Sequence, residues 1–131
     1  MRDLKCKCGS LKNYSDCCGI YINNDELPAS PEQLMRARYT AYATANIDYV
    51  VKTMVGKPLD GFDLEAVTSW AKELVWLKLE VIATRLENDN TGFVAFKAYY
   101  REQNHDMVLH EISEFKRIDG VWFYSDGQIM R

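Results

Sequence analysis

Cys6-Lys7-Cys8 and Cys17-Cys18 gather all four cysteines of this chain into one short stretch near its beginning. Four thiolates so close in sequence suit a tetrahedral metal site. Zinc is the expected ion, because it accepts an all-sulfur shell and has no redox chemistry of its own. An iron or redox centre and four unliganded thiols are the competing readings. Cys17 and Cys18 are neighbours, so a disulfide between them would distort the backbone. Four protein ligands close the shell, and a closed site holds structure rather than doing chemistry. Gly9, Ser10 and Gly19 follow the two cysteine pairs, where turns can aim backbone amides at the sulfurs. Arg2, Lys5, Lys7 and Lys12 outnumber Asp3 and Asp16 nearby. A zinc ion with four thiolates carries a net charge of about -2, so these cations read first as charge compensation and second as a nucleic-acid patch.

Carboxylates on a strand face are the other chemistry on offer. If Asp119-Gly120 forms the centre of a type I′ turn, Ile118 pairs with Val121 and the register runs outward from there. Glu111, Ser113, Phe115 and Arg117 then share a face with Trp122, Tyr124 and Asp126, and His110 points to the other side. With Arg38 added from a helix, the expected small-molecule pocket is Arg38, Glu111, Ser113, Phe115, Trp122, Tyr124 and Asp126. Glu111 or Asp126, desolvated against Phe115 and Trp122, would have the raised pKa that a general base needs. The competing structural reading makes the aromatic residues core and pairs the two carboxylates with Arg117, Arg38 or backbone amides. His105 lies in a polar turn, and neither it nor His110 has a cysteine nucleophile beside it. Tyr39, Tyr42, Tyr99 and Tyr100 read as amphipathic wall residues.

The elements that must position these groups are legible. Ser30-Pro31-Glu32-Gln33 is a capping box opening a helix to about Thr44, with Leu34, Ala37, Ala41 and Ala45 inward and Tyr42 widening the stripe. Asn46 caps a second helix carrying Ile47, Val50, Val51 and Met54, and Asp63 caps a third carrying Leu64, Val67, Ala71 and Leu74, with Trp70 beside them. From Val75 the period becomes alternating, with Val75, Leu77, Leu79, Val81 and Ala83 on one side of a long strand. Strands at 93–101, 107–118 and 121–125 complete an antiparallel meander. Helices first and sheet afterwards define an α+β domain with the helices on one face of a curved sheet. The expected division is a knuckle at 1–19, a polar linker at 20–29 and the folded domain at 30–131.

At 47% hydrophobic and 27% charged residues the chain is an ordinary globular sequence, and a net charge of -3 excludes a broad cationic surface for nucleic acid. No apolar run approaches the roughly 20 residues of a membrane-spanning helix, and the first residues lack a signal peptide's apolar stretch, so a cytoplasmic location is expected.

The cysteine spacing, with Gly9-Ser10, Lys12 and Tyr14 between the pairs, resembles the SEC-C motif, the zinc-binding tail also found on the SecA translocation motor. There the related motif docks the SecB chaperone and the ribosome, which implies partner binding rather than chemistry. Lys7 stands where the motif often has proline, and Leu11 where a second glycine is common. The order of elements resembles the nuclear transport factor 2-like cone. The stretches from Ser30 to Tyr42, from His110 to Phe115 and from Asp119 to Gly127 resemble the bacterial YchJ family, which joins the two modules. Where that family suggests a Trp-His-Pro-like segment, this chain has Thr53-Met54-Val55-Gly56-Lys57-Pro58. The expected function is a zinc-binding docking module whose cone takes a small ligand or peptide. The alternative is a lyase or isomerase using Glu111 or Asp126. A protein partner on the knuckle is the leading expectation, with ribosome or nucleic acid second. A homodimer through the sheet is also expected.

Overall fold

In the computed structural model, which describes residues 4–130, the capping box does what its residues dictate. Ser30 Oγ accepts from the Gln33 amide at 3.2 Å, and Gln33 Oε1 accepts from the Ala29 amide at 2.7 Å. Helix α2 (Pro31–Ala43) starts there and buries Leu34, Met35, Ala37, Arg38, Tyr39, Thr40 and Ala41. Asn46 Oδ1 accepts from the Tyr49 amide at 3.4 Å to open α3 (Ile47–Lys52), and Asp63 Oδ1 accepts from the Ala66 amide at 3.0 Å to open α4 (Leu64–Glu73). Helix α3 stops two residues short of Met54, which instead forms a parallel bridge to Tyr124. Two bonds fix that bridge: the Val55 amide to Tyr124 O at 2.9 Å, and the Tyr124 amide to Thr53 O at 2.8 Å.

Strands β1 (Val75–Asn88), β2 (Thr91–Glu102), β3 (His105–Ile118) and β4 (Val121–Ile129) form a four-stranded antiparallel sheet in the order β1-β2-β3-β4. The simple alternation expected for β1 does not hold. Register shifts at Leu77 and Ile82 change which side chains face inward. Val75 and Leu77 are exposed, whereas Trp76, Leu79 and Val81 pack on the core. The bulges impose this, because each extra residue inverts the side-chain alternation beyond it.

A bulge in β4 reshapes the expected pocket face. Ile118 pairs with Val121, and the predicted register continues to Phe115 opposite Tyr124. Ser125 is then extra, its Oγ donating to Glu114 O at 3.0 Å and to Glu114 Oε1 at 2.9 Å. Beyond it Glu114 faces Asp126 and Ser113 faces Gly127. Asp126 is thereby moved off the inner face and is exposed.

The cysteine segment is not an appendage. Helix α1 (Cys18–Ile22) runs across the boundary expected at residue 19, and Ile22 is buried, so the start of the expected polar linker is packed structure. Cys6, Cys8 and Cys18 belong to the same core cluster as Leu34, Met35, Val50, Phe96 and Phe115.

Candidate functional site

The cysteine cluster is built on a small hairpin and the start of α1. The Cys6 amide bonds Lys12 O at 2.8 Å, and Lys5 pairs with Asn13, while Gly9 and Leu11 turn the chain with φ of 85° and 71°. Leu11 thus occupies the left-handed region that suits glycine, and its side chain is 81% exposed. The four sulfurs all lie within 4.8 Å of one another, and Cys8 Sγ is 3.6 Å from Cys17 Sγ. A tetrahedron with metal–sulfur bonds of about 2.3 Å sets its sulfurs roughly 3.8 Å apart, so the donor set fits a tetrahedral ion. Hydrogen bonds from the Cys18 and Cys8 thiols lower the Cys6 pKa, and the bond with Cys6 pushes that of Cys18 upward. Four thiolates at this spacing repel unless a cation shares their charge.

Outer contacts tie the cluster to the domain. Ser10 Oγ donates to Cys17 Sγ at 3.1 Å, and Thr40 Oγ1 of α2 is 3.7 Å from Cys6 Sγ. Arg36 Nη1 donates to Cys8 O at 2.8 Å while its Nε pairs with Glu32 at 3.0 Å. Lys5, Lys7 and Lys12 are exposed; Arg2 and Asp3, which belong to the same charge balance, lie outside the described residues.

The second site is a cavity of about 270 Å³ between the helices and the inner face of the sheet. Its walls are Tyr39 and Tyr42 from α2, Trp70 from α4 and Trp76 from β1, with Met35, Met54, Phe62, Phe96 and Leu109 filling between them. Trp76 is the hub. It meets Tyr39 edge-to-face at 5.7 Å and Trp70 edge-to-face at 5.9 Å, and Tyr42 lies tilted at 6.1 Å. Its indole N–H donates to Ala71 O at 3.2 Å, leaving the ring as an apolar wall.

At one end the lining turns polar. Glu111, Ser113, Tyr124 and Arg38 meet there. Glu111 Oε2 accepts from Ser113 Oγ at 2.5 Å and from Tyr124 Oη at 3.2 Å. Burial raises the Glu111 pKa above the ordinary carboxylate value, against the lowering pull of both hydroxyls and of the Arg38 charge. Burial likewise pushes the Tyr124 phenol upward, helped by Glu111. Arg38 is 3% exposed, and the same desolvation lowers its pKa. Its guanidinium lies 4.3 Å from the centre of the Tyr124 ring, and Nη1 donates to Val50 O and Thr53 Oγ1, both at 2.8 Å.

Of the seven pocket residues expected, these four come together and three do not. Phe115 is fully buried behind Tyr124, edge-on at 5.9 Å. Trp122 packs toward a separate hollow with Ser30, Pro31, Arg85 and Arg117. Asp126 is turned away by the Ser125 bulge, its Oδ1 accepting from the Gly127 amide at 2.8 Å. The ion pairs anticipated for Glu111 do not form among the described residues. Arg117 stacks over Trp122 at 5.6 Å and reaches Asn90, and Arg38 bonds neutral acceptors. His110 pairs opposite Lys97, and His105 sits at the β2–β3 turn; neither lines the cavity.

Two contributors escape a sequence reading. Trp76 enters through the β1 bulge. Gly127 takes the inward position expected for Asp126, where a Cβ would collide with Tyr124 Oη and lie 2.6 Å from Glu111 Oε2. Glycine at that point is what lets Tyr124 reach Glu111.

An α+β domain with an antiparallel meander under N-terminal helices, preceded by a packed four-cysteine cluster, defines a nuclear transport factor 2-like protein with a potential metal site. The family model described as "YchJ, middle NTF2-like domain" matches residues 30–127, and the chain belongs to the YchJ family. A UPF0225 protein of Shewanella sp. (strain MR-4) is 39% identical over 98% of this chain and 82% of its own length. The solution structure of a SEC-C motif containing protein from Rhodopseudomonas palustris superposes with a TM-score of 0.87 at 37% identity, over 98% of this chain and 100% of that one. The crystal structure of a SEC-C motif containing protein from Psychrobacter arcticus gives 0.82 at 29% identity, over 100% and 84%. No helix among the described residues is long and apolar enough to cross a membrane.

Proposed function

We propose that this chain is a zinc-stapled ligand-binding protein: a structural zinc ion held by Cys6, Cys8, Cys17 and Cys18 braces helix α2, and the cavity behind α2 takes a small, largely apolar molecule. The observation that carries the reading is the combination in one cavity of an aromatic wall with a desolvated, incompletely bonded carboxylate at its end. A packed core would have no use for that space. Zinc fits because the donors are four thiolates with no histidine or carboxylate among them, and such a shell has no open position for substrate. Proton transfer in a lyase or isomerase reaction would fall to Glu111 alone, since Asp126 does not face the cavity.

A second reading is favoured by the knuckle's outer surface. Leu4 and Leu11 are 71% and 81% exposed beside the exposed Lys5, Lys7 and Lys12, an apolar and basic tip suited to an acidic protein partner. The test of the main reading is a titration of the purified chain with small aromatic compounds, followed by tryptophan emission. Saturable binding should be lost in Ala98→Phe, because Ala98 of β2 is buried in the cavity lining and the larger side chain would fill the space. A panel that produces no saturable change in emission or in amide chemical shifts would remove the proposal.

A further inference from the structure

If the cavity takes a ligand, as proposed, the class of that ligand is set by the polar groups there that still have bonding capacity, and its assignment rests on the ligand-binding reading. Arg38 is largely committed. Besides its bonds to Val50 O and Thr53 Oγ1, its Nη2 faces Met54 Sδ at 3.8 Å, and its plane is occupied by the Tyr124 ring. Its charge lies against the C-terminal end of α3, where the helix favours a cation. Glu111 is the opposite case. Among the described residues Oε2 takes both hydroxyl donors, Oε1 takes none, and no cationic side chain forms an ion pair with it. A desolvated carboxylate with a bare oxygen is complete only when a donor, best a cation, arrives.

The walls point the same way. Trp70 stands at 87° to Tyr42 and 89° to Trp76, and Tyr39 at 87° to Trp76, so aromatic rings line one volume in several orientations. Electron-rich faces arranged like this attract an ammonium group through their quadrupoles. Trp70 lines the cavity yet stays 39% exposed, which places it at the mouth, where a ligand enters. We infer that the cavity binds a small organic cation, an amine or quaternary ammonium on an apolar frame, with its charged head between Glu111 Oε1 and the rings of Tyr42, Trp70 and Trp76. An anionic ligand would meet Glu111 head-on, with Arg38 already engaged. A neutral apolar one would leave Oε1 without a partner.

Three compounds of similar shape decide between these cases: 2-phenylethylamine, 2-phenylethanol and 3-phenylpropionate, titrated into the full chain at neutral pH with tryptophan emission and calorimetry as readouts. The amine should bind at least about ten-fold more tightly than either of the others. In Glu111→Gln the ratio of amine to alcohol affinity should fall at least about three-fold, leaving only the share that the rings supply. If that variant does not fold, the wild type supplies the same comparison. The amine's advantage should shrink as pH is lowered through the titration of Glu111, whose charged and hydroxyl neighbours are Arg38, Tyr42, Asp126, Ser113 and Tyr124. Tightest binding of the propionate overturns the inference in favour of an anion read by Arg38, and an amine advantage independent of both Glu111 and pH overturns the placement of the charged head at Glu111. Equal affinities overturn the cationic class while leaving the ligand-binding reading standing. Binding of none of the three removes both.

Discussion

Leu11 and Glu111 are each held in a condition that residues of their type normally avoid. Leu11 turns the knuckle at φ 71° with its side chain in solvent, so it bears the cost of the left-handed region with little packing in return. That cost is roughly 1–2 kcal/mol for a side chain with a Cβ, partly offset by the greater unfolded-state freedom of glycine. Leu11→Gly should therefore raise stability by about 0.5–1 kcal/mol in a urea titration, and a loss of stability would show that the turn depends on leucine contacts. Glu111 stores its cost as a raised pKa, chiefly through burial. Between the ordinary carboxylate value and the raised one, the native chain keeps a proton that the unfolded chain has released. Stability is then fully present below that window and declines as pH rises through it. Glu111→Gln cannot ionise, so urea midpoints measured across the acidic range should lose that share of the decline. Parallel pH profiles for variant and wild type would contradict the desolvated carboxylate.

At the scale of elements, the bulges decide what is legible in the sequence. The helix starts are readable because Ser30, Asn46 and Asp63 each accept a backbone amide, a local interaction needing no tertiary partner. The β3–β4 hairpin is readable as far as Phe115 and Tyr124, because turn chemistry fixes the nearby register. Beyond that point periodicity does not register one extra residue, and strict alternation puts Asp126 on a face that Gly127 occupies. Glycine after Ser125-Asp126 in an otherwise aromatic strand is the available signal, since glycine inside a strand often marks a bulge or a close approach. Trp76 is lost in the same way to the β1 bulge. Gly127→Ala tests the reassigned register. The added methyl must displace the Tyr124 hydroxyl or the Glu111 carboxylate, at a cost of about 1–3 kcal/mol by analogy with overpacked cores. Both thermal stability and amine binding should fall. An unperturbed variant would place residue 127 on the outer face and restore Asp126 to the cavity.

For the whole molecule, the question is whether metal and cavity are separate devices. Cys8 and Cys18 are 0% and 1% exposed and share a core with Leu34 and Val50, while Arg36 and Thr40 of α2 reach toward the cluster. The same helix presents Arg38, Tyr39 and Tyr42 to the cavity, so α2 has one edge on the sulfurs and another on the cavity wall. Removing the proposed zinc ion should therefore not leave a loose knuckle beside an intact domain. Binding energy for a structural zinc ion is folding energy, and a domain's total stability is only about 5–15 kcal/mol. Chelation at neutral pH under reducing conditions should lower the midpoint of thermal unfolding by about 10 °C or more, in one cooperative step, as loss of a few kcal/mol does in a domain of this size. Near-ultraviolet circular dichroism, which reports the packed tryptophans around Trp76, should weaken together with amine affinity, and both should return when zinc is restored. If the chelated chain keeps its tryptophan signal and its ligand affinity while losing one equivalent of zinc, α2 does not couple the two sites, and the knuckle is free to act as a docking element in its own right.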